Sequence, residues 1–269
     1  EMPFKTPKAI VEAVCSTGCT KSQLSIPKQL ALGFLAGAYI AFGGFLAILV
    51  GRGSPELATA NPGLAKFVFG AVFPVGLMLV IIAGSELFTG NVGMITCACL
   101  TGGAKWRNLL RNWFFVYLAN FVGSVFVALF IAYWSGIINV NSGDAFAQTL
   151  GKAAAAIAEA KTVKLGWGAA LLRGIGCNWL VCLAVWMAVA SDDIAGKILG
   201  IWWPIMAFVA LGLEHSIANM FFIPLGMFNG AAVSIVDLFW RNLIPVTIGN
   251  IIGGGILVGG LYWWIYGRD

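Results

Sequence analysis

The chain has 269 residues, 60% of them apolar and only 10% charged, against about 25% charged in an average globular protein. So few charges cannot cover the surface of a water-soluble domain of this size, so the composition excludes a soluble module and places the chain in a bilayer. The formal net charge of +5 is scattered between apolar blocks, and without a basic stripe interleaved with aromatics it excludes nucleic acid as a partner.

Residues 1–28 read as an N-terminal segment without the apolar core of a signal peptide. Ile10, Val11 and Val14 give it an apolar side, so it is expected to lie as an amphipathic helix at the cytoplasmic face. From 29 to 269 follows a six-span unit. A helical span needs about 20 mostly apolar residues, and such runs occupy 29–50, 65–99, 108–134, 167–190, 198–228 and 242–266. The second and fifth are too long for one straight crossing and carry polar residues near the middle. They predict broken helices, and unwound backbone at membrane depth survives only where it is buried or lines a cavity.

Six spans put both termini on one side. That side holds Lys5, Lys8, Lys21, Lys28, Lys105, Arg107, Arg111, Lys197 and Arg268. The other side holds Arg52, Lys66, Lys152, Lys161, Lys164 and Arg241. Nine cations against six predict cytoplasmic termini.

The two breaks resemble each other. Gly84, Glu86 and Asn91 recur as Gly212, Glu214 and Asn219 at one offset of 128 residues. In the third and sixth spans Arg111, Asn112, Asn120 and Gly123 recur as Arg241, Asn242, Asn250 and Gly253, 130 residues apart. Three spans per half is an odd number, so the halves (29–134 and 167–266) have opposite orientation. This is an inverted repeat whose breaks meet near the midplane. Spans one and four show no comparable match.

Glu86 and Glu214 are the only acidic residues inside the spans, each at a break. A carboxylate there costs at least ~2.5 kcal/mol, and holding the broken segments through backbone N–H groups explains both better than direct substrate contact. His215 is the only histidine of the chain and can exchange a proton near neutral pH. Thr89 offers a hydroxyl at the first break, and Asn91, Asn178 and Asn219 are further polar candidates. Phe73, Leu77, Leu87, Phe88 and Phe208 are candidates for apolar constrictions on either side. The six cysteines, with one histidine, assemble no zinc spacing. Four of them lie in or at the ends of apolar spans and read as small apolar residues, and no disulfide framework, metal or cofactor is expected. Neither a cofactor motif nor a nucleophile–base pair points to an enzyme.

The run from Glu214 through His215 to Pro224 resembles the signature of the formate/nitrite transporter family. So do Asn242 to Gly255, Arg173 to Ala184, and Leu87-Phe88-Thr89, and the likeness extends over nearly the whole chain. The resemblance implies an aquaporin-like bundle of six transmembrane helices, assembled as a homopentamer with one pore per protomer in the cell membrane. It maps the family's pore histidine onto His215, its threonine onto Thr89 and its pore asparagine onto Asn178. The constriction falls on Phe73, Leu77 and Phe208, with Leu87, Phe88 and Val181 alongside. The family's vestibule lysine falls on Lys161 or Lys164, which flank the strictly aligned Thr162.

The expected function is therefore passage of a small monovalent anion, formate before nitrite or hydrosulfide, linked to a proton. Two roles for His215 remain open at this point: a proton relay, or a neutral donor that only hydrogen-bonds. A neutral-solute channel of the water/glycerol type shares inverted half-helices, but the paired Asn-Pro-Ala signatures of that class are missing from both breaks.

Overall fold

Polar residues and prolines set the helix starts. The computed structural model describes residues 4–268. In it Thr6 caps α1 (Pro7–Ser22) by accepting from the Ala9 amide, and Pro7 fills the first turn, where a missing N–H costs nothing. Then come α2 (Ile26–Arg52), a short helix at Pro55–Ala60, α3 (Pro62–Gly84) and α4 (Phe88–Leu100). They are followed by α5 (Trp106–Trp134), α6 (Ala145–Lys161), α7 (Trp167–Ala190), α8 (Ile194–Leu211), α9 (Ser216–Phe228) and α10 (Asp237–Tyr266). Asp144 and Asp193 cap α6 and α8 through the amides of Ala147 and Gly196. The hydrogen bond from the Gly196 amide, helped by the Ser191 hydroxyl, holds the Asp193 carboxyl below its usual range. Among the described residues the structure is entirely helical, and six helices are long and apolar enough to cross a membrane.

The second and fifth apolar runs break where expected. α3 ends at Gly84, and α8 ends at Leu211 with Gly212 as its cap; both glycines are left-handed, with φ of +84° and +76°, a conformation glycine adopts without steric cost. A short extended stretch follows each, and α4 and α9 then turn back into the bundle as buried half-helices.

The repeat also includes the pair of spans that lacked a sequence match. The Glu86 amide donates to Leu32 O, and the Glu214 amide to Arg173 O. Asn120 donates to Gly33 O and Asn250 to Gly174 O. A Cβ on Gly123 would lie 2.0 Å from Phe34 O, and one on Gly253 2.2 Å from Ile175 O. Each α2 residue and its α7 counterpart in these three pairs are 141 positions apart. The correspondence is carried by backbone carbonyls, which leave no trace in side-chain identity. Such close backbone approach through small residues is how membrane helices pack without a hydrophobic drive between them. Gly123→Ala is expected to force α2 and α5 apart, destabilising by about 1–3 kcal/mol, and thermal unfolding in detergent checks it.

α1 departs from its expectation in one respect. It does not rest on the bundle by an apolar stripe alone: Val11, Val14, Cys15 and Gly18 are buried, and Gly18 abuts the Met94 carbonyl of α4. Cys15 is disulfide-bonded to Cys97 of α4, which corrects the reading of no disulfide. The bond spans 82 residues, and the two cysteines meet only because α1 folds beneath the re-entrant α4. Lys5 also pairs with Asp192 beyond the end of α7. The face carrying α1 and the chain's end is called the near face below, and the opposite one the far face.

Candidate transport site

The two breaks meet in the middle of the bundle through one hydrogen bond. His215 is the N-cap of α9, and its Nδ1 accepts from the Ala218 amide at 2.9 Å. Its Nε2 lies 2.9 Å from Thr89 Oγ1 in the first turn of α4. Both residues are buried. With Nδ1 occupied as an acceptor, the neutral ring carries its hydrogen on Nε2 and donates it to Thr89. The Thr89 hydroxyl hydrogen is then left to donate elsewhere. At the equivalent cap of α4 stands Leu87, so the repeat is broken where the chemistry sits.

Each break is held by the same four-residue network. On the near face, Glu86 accepts from Lys21 Nζ at 2.5 Å and from Asn91 Nδ2 at 2.7 Å, while Asn91 also donates to Asn112. On the far face, Glu214 accepts from Lys161 Nζ at 2.9 Å and from Asn219 Nδ2 at 2.7 Å, while Asn219 donates to Asn242. Asn112 and Asn242 close the networks by donating to the backbone carbonyls of Lys21 and Lys161. Asn120 and Asn250 take the amides of Phe88 and Ser216, the first helical residues of α4 and α9, and donate to the carbonyls of Glu86 and Glu214. Buried carboxylates are thus fully partnered, as low-dielectric surroundings demand. Lys21 was missed from sequence: α1 reads as a separate segment, and only folding sets its lysine against Glu86.

Two cavities approach this centre. The far-face cavity, about 320 Å³, is lined by Arg52, Lys66, Lys161 and Arg173 against one carboxylate, Glu214, and reaches Phe73, Phe208, Phe222, His215 and Asn219. The Phe73 and Phe208 rings meet edge to face at 5.8 Å, and Phe208 stacks on His215 at 5.7 Å. The near-face cavity, about 400 Å³, is lined by Lys21, Glu86, Asn91, Leu77 and Leu87 with largely apolar walls. Phe73 and Leu77, one helical turn apart on α3, therefore border different cavities.

Most of the expected residues gather here, and three do not. Phe88 lines neither cavity: its ring packs on Tyr117 at 4.9 Å and Trp113 at 5.9 Å, on an aromatic groove between α5 and α10. As the first residue of α4 it points away from Leu87, its neighbour at the cap. Lys164 is set apart too, its side chain 63% exposed and paired with Glu159, whereas that of Lys161 is 19% exposed. The Lys164 ammonium holds the Glu159 carboxyl below its usual range. Thr162, between them, is turned inward on the Ala158 carbonyl. Val181 is buried in the main core and lines neither cavity. Asn178 of α7 bridges the Thr89 and Asn250 carbonyls at 3.1 and 2.7 Å, tying the half-helix α4 to α10. Lys161→Ala is expected to slow anion uptake steeply and Lys164→Ala to leave it unchanged, since solvent-exposed pairs contribute little; initial rates in vesicles distinguish them.

Comparison with known proteins agrees with this architecture. A family model described as formate/nitrite transporter matches residues 8–264. The chain is 52% identical to a probable formate transporter of Methanothermobacter thermautotrophicus, over 99% of this chain and 98% of that protein. It is 43% identical to the formate channel BtFdhC of Bacillus thuringiensis, over 100% and 98%. A solved pentameric formate channel with formate bound superposes with a TM-score of 0.76 at 32% identity, covering 90% of this chain and 97% of that one.

Proposed function

The chain belongs to the formate/nitrite transporter family, and from that premise we propose that it passes formate across the cell membrane as a homopentamer, both termini cytoplasmic. The observation that carries the mechanism is the Thr89–His215 hydrogen bond between two cavities that each hold a lysine–glutamate pair. Four cations in the far-face cavity draw a small anion from solution. An isolated charge cannot cross the Phe73–Phe208 pair cheaply, because its desolvation in an apolar site costs many kcal/mol. Beside that ring the low dielectric favours the neutral acid, so the carboxylate takes a proton from water in the vestibule. The acid then crosses, its oxygen hydrogen-bonded by Thr89, and returns the proton to water on the other side.

In this reading His215 does not relay the proton. Protonating Nδ1 would break the cap of α9, and Nε2 already carries a hydrogen, so the ring acts as a neutral donor that orients Thr89. Stopped-flow uptake by proteoliposomes, comparing formate, nitrite and hydrosulfide at mildly acidic and neutral pH, tests the substrate. Formate fastest, and faster in acid, supports the proposal. Nitrite or hydrosulfide fastest would keep the site and discard formate.

A further inference from the structure

A second cationic cavity lies outside the pore, at the near-face end of α5. It measures about 510 Å³ and is lined by Ser22, Gln23, Lys105, Arg107, Asn108 and Arg111, among others, with no carboxylate. Among the described residues none of its three cations has an acidic partner. Arg111 Nη2 donates to the Ser22 and Leu24 carbonyls, while its Nε is buried without a partner.

The internal repeat shows what this end of the helix lacks. In the second half Arg241, the counterpart of Arg111, pairs through Nε with Asp237 one turn earlier, at 2.7 Å. The position equivalent to Asp237 in the first half is Arg107. A carboxylate that neutralises the arginine in one half is thus replaced by a second guanidinium in the other. Like charges at i and i+4 repel, as Arg107 and Arg111 do here, and Lys105 and Arg107 lie in the first turn of a helix, where the macrodipole disfavours cations. No side chain caps that end. An anion restores the balance that Asp237 supplies in the second half.

We propose that this cavity binds the phosphate of an anionic membrane phospholipid. The stripe next to Arg107 and Arg111 on α5 is Trp106, Leu110 and Phe114, all exposed, the last two by 64% and 65%. Trp106, between Lys105 and Arg107 at the start of α5, marks the headgroup level, and the apolar stripe that continues from it gives acyl chains a surface to follow. Basic pockets between membrane helices take anionic headgroups in this way. Free phosphate would use the same cations but nothing of that stripe.

The test places the full-length protein in nanodiscs of phosphatidylglycerol and phosphatidylcholine and counts retained lipids by native mass spectrometry. The parent is expected to keep phosphatidylglycerol. Arg107→Asp, which restores the ion pair seen in the other half, is expected to weaken that retention at least about tenfold. Lys105→Ser should weaken it in the same direction, and both variants should keep their assembly and formate uptake. Equal retention of the two lipids, or unchanged retention in Arg107→Asp, overturns the proposal. Displacement of the lipid by inorganic phosphate at comparable concentration would make it a free-anion site. Disassembly of Arg107→Asp with lipid still bound would make the face a contact between copies.

Discussion

Glu214→Ala is expected to destabilise the protein by about 3–5 kcal/mol, the usual consequence of removing one partner from a buried ion pair. The carboxylate accepts from Lys161, Asn219 and Asn242 at 2.9, 2.7 and 3.3 Å; the two asparagines keep Asn242 Oδ1 and the Lys161 carbonyl as acceptors, whereas the Lys161 ammonium loses its only one. The penalty comes less from the lost attraction than from the Lys161 ammonium left beside an apolar wall, 5.6 Å from the Phe222 ring centroid. Glu214→Gln combined with Lys161→Met should therefore be more stable than Glu214→Gln alone, although it has lost both charges. Thermal unfolding in detergent, followed by the loss of a monodisperse assembly, reads both comparisons. Glu86→Ala should behave alike through Lys21. Unequal effects in the two halves would mean that the mirrored networks do not share one structural role.

His215→Leu is expected to lower formate flux by roughly 10- to 100-fold. It leaves the Thr89 hydroxyl buried without its partner and the passing oxygen without an oriented donor, together worth about 1.5–3 kcal/mol. It also removes the cap of α9, which costs ~1 kcal/mol of stability, so flux must be normalised to folded protein. His215→Asn separates the two roles. Its side-chain oxygen can still accept from the Ala218 amide, because asparagine is a good N-cap residue, but it is too short to reach Thr89. Flux in that variant should fall while its acceleration by acid persists, since the proton comes from water. Loss of the pH dependence in His215→Asn would restore the relay role to the imidazole.

The sequence announced this fold through its exceptions to apolarity. Gly84 and Gly212 interrupt apolar runs at one spacing, and Glu86, Glu214 and His215 mark the breaks, because a polar residue at membrane depth must be held by something. The matching of α2 with α7 stayed hidden, since it rests on the carbonyls of Leu32, Gly33, Arg173 and Gly174, and any residue supplies a carbonyl. Lys21 stayed hidden for another reason. It lies on α1, outside every apolar run, and its partner Glu86 is 65 positions away. Between Lys161 and Lys164 the end of α6 decides: Lys161, its last residue, is turned toward Glu214, while Lys164 lies in the turn beyond it and pairs with Glu159. Phe88 illustrates the opposite limit. Adjacent residues at a helix start diverge by about 100°, so Leu87 borders the near-face cavity while Phe88 packs into the aromatic groove of α5 and α10.

The central claim is that the permeating species crosses the Phe73–Phe208 pair as the neutral acid, hydrogen-bonded by Thr89 beside an uncharged His215. The measurement that tests it most directly follows formate entry into proteoliposomes while recording lumenal pH and membrane potential together. The account predicts lumenal acidification in step with formate entry and a rate insensitive to an imposed potential. Formate entry that drives the potential, slows or quickens with its sign, and leaves lumenal pH unchanged would contradict it, because the anion would then be crossing with its charge.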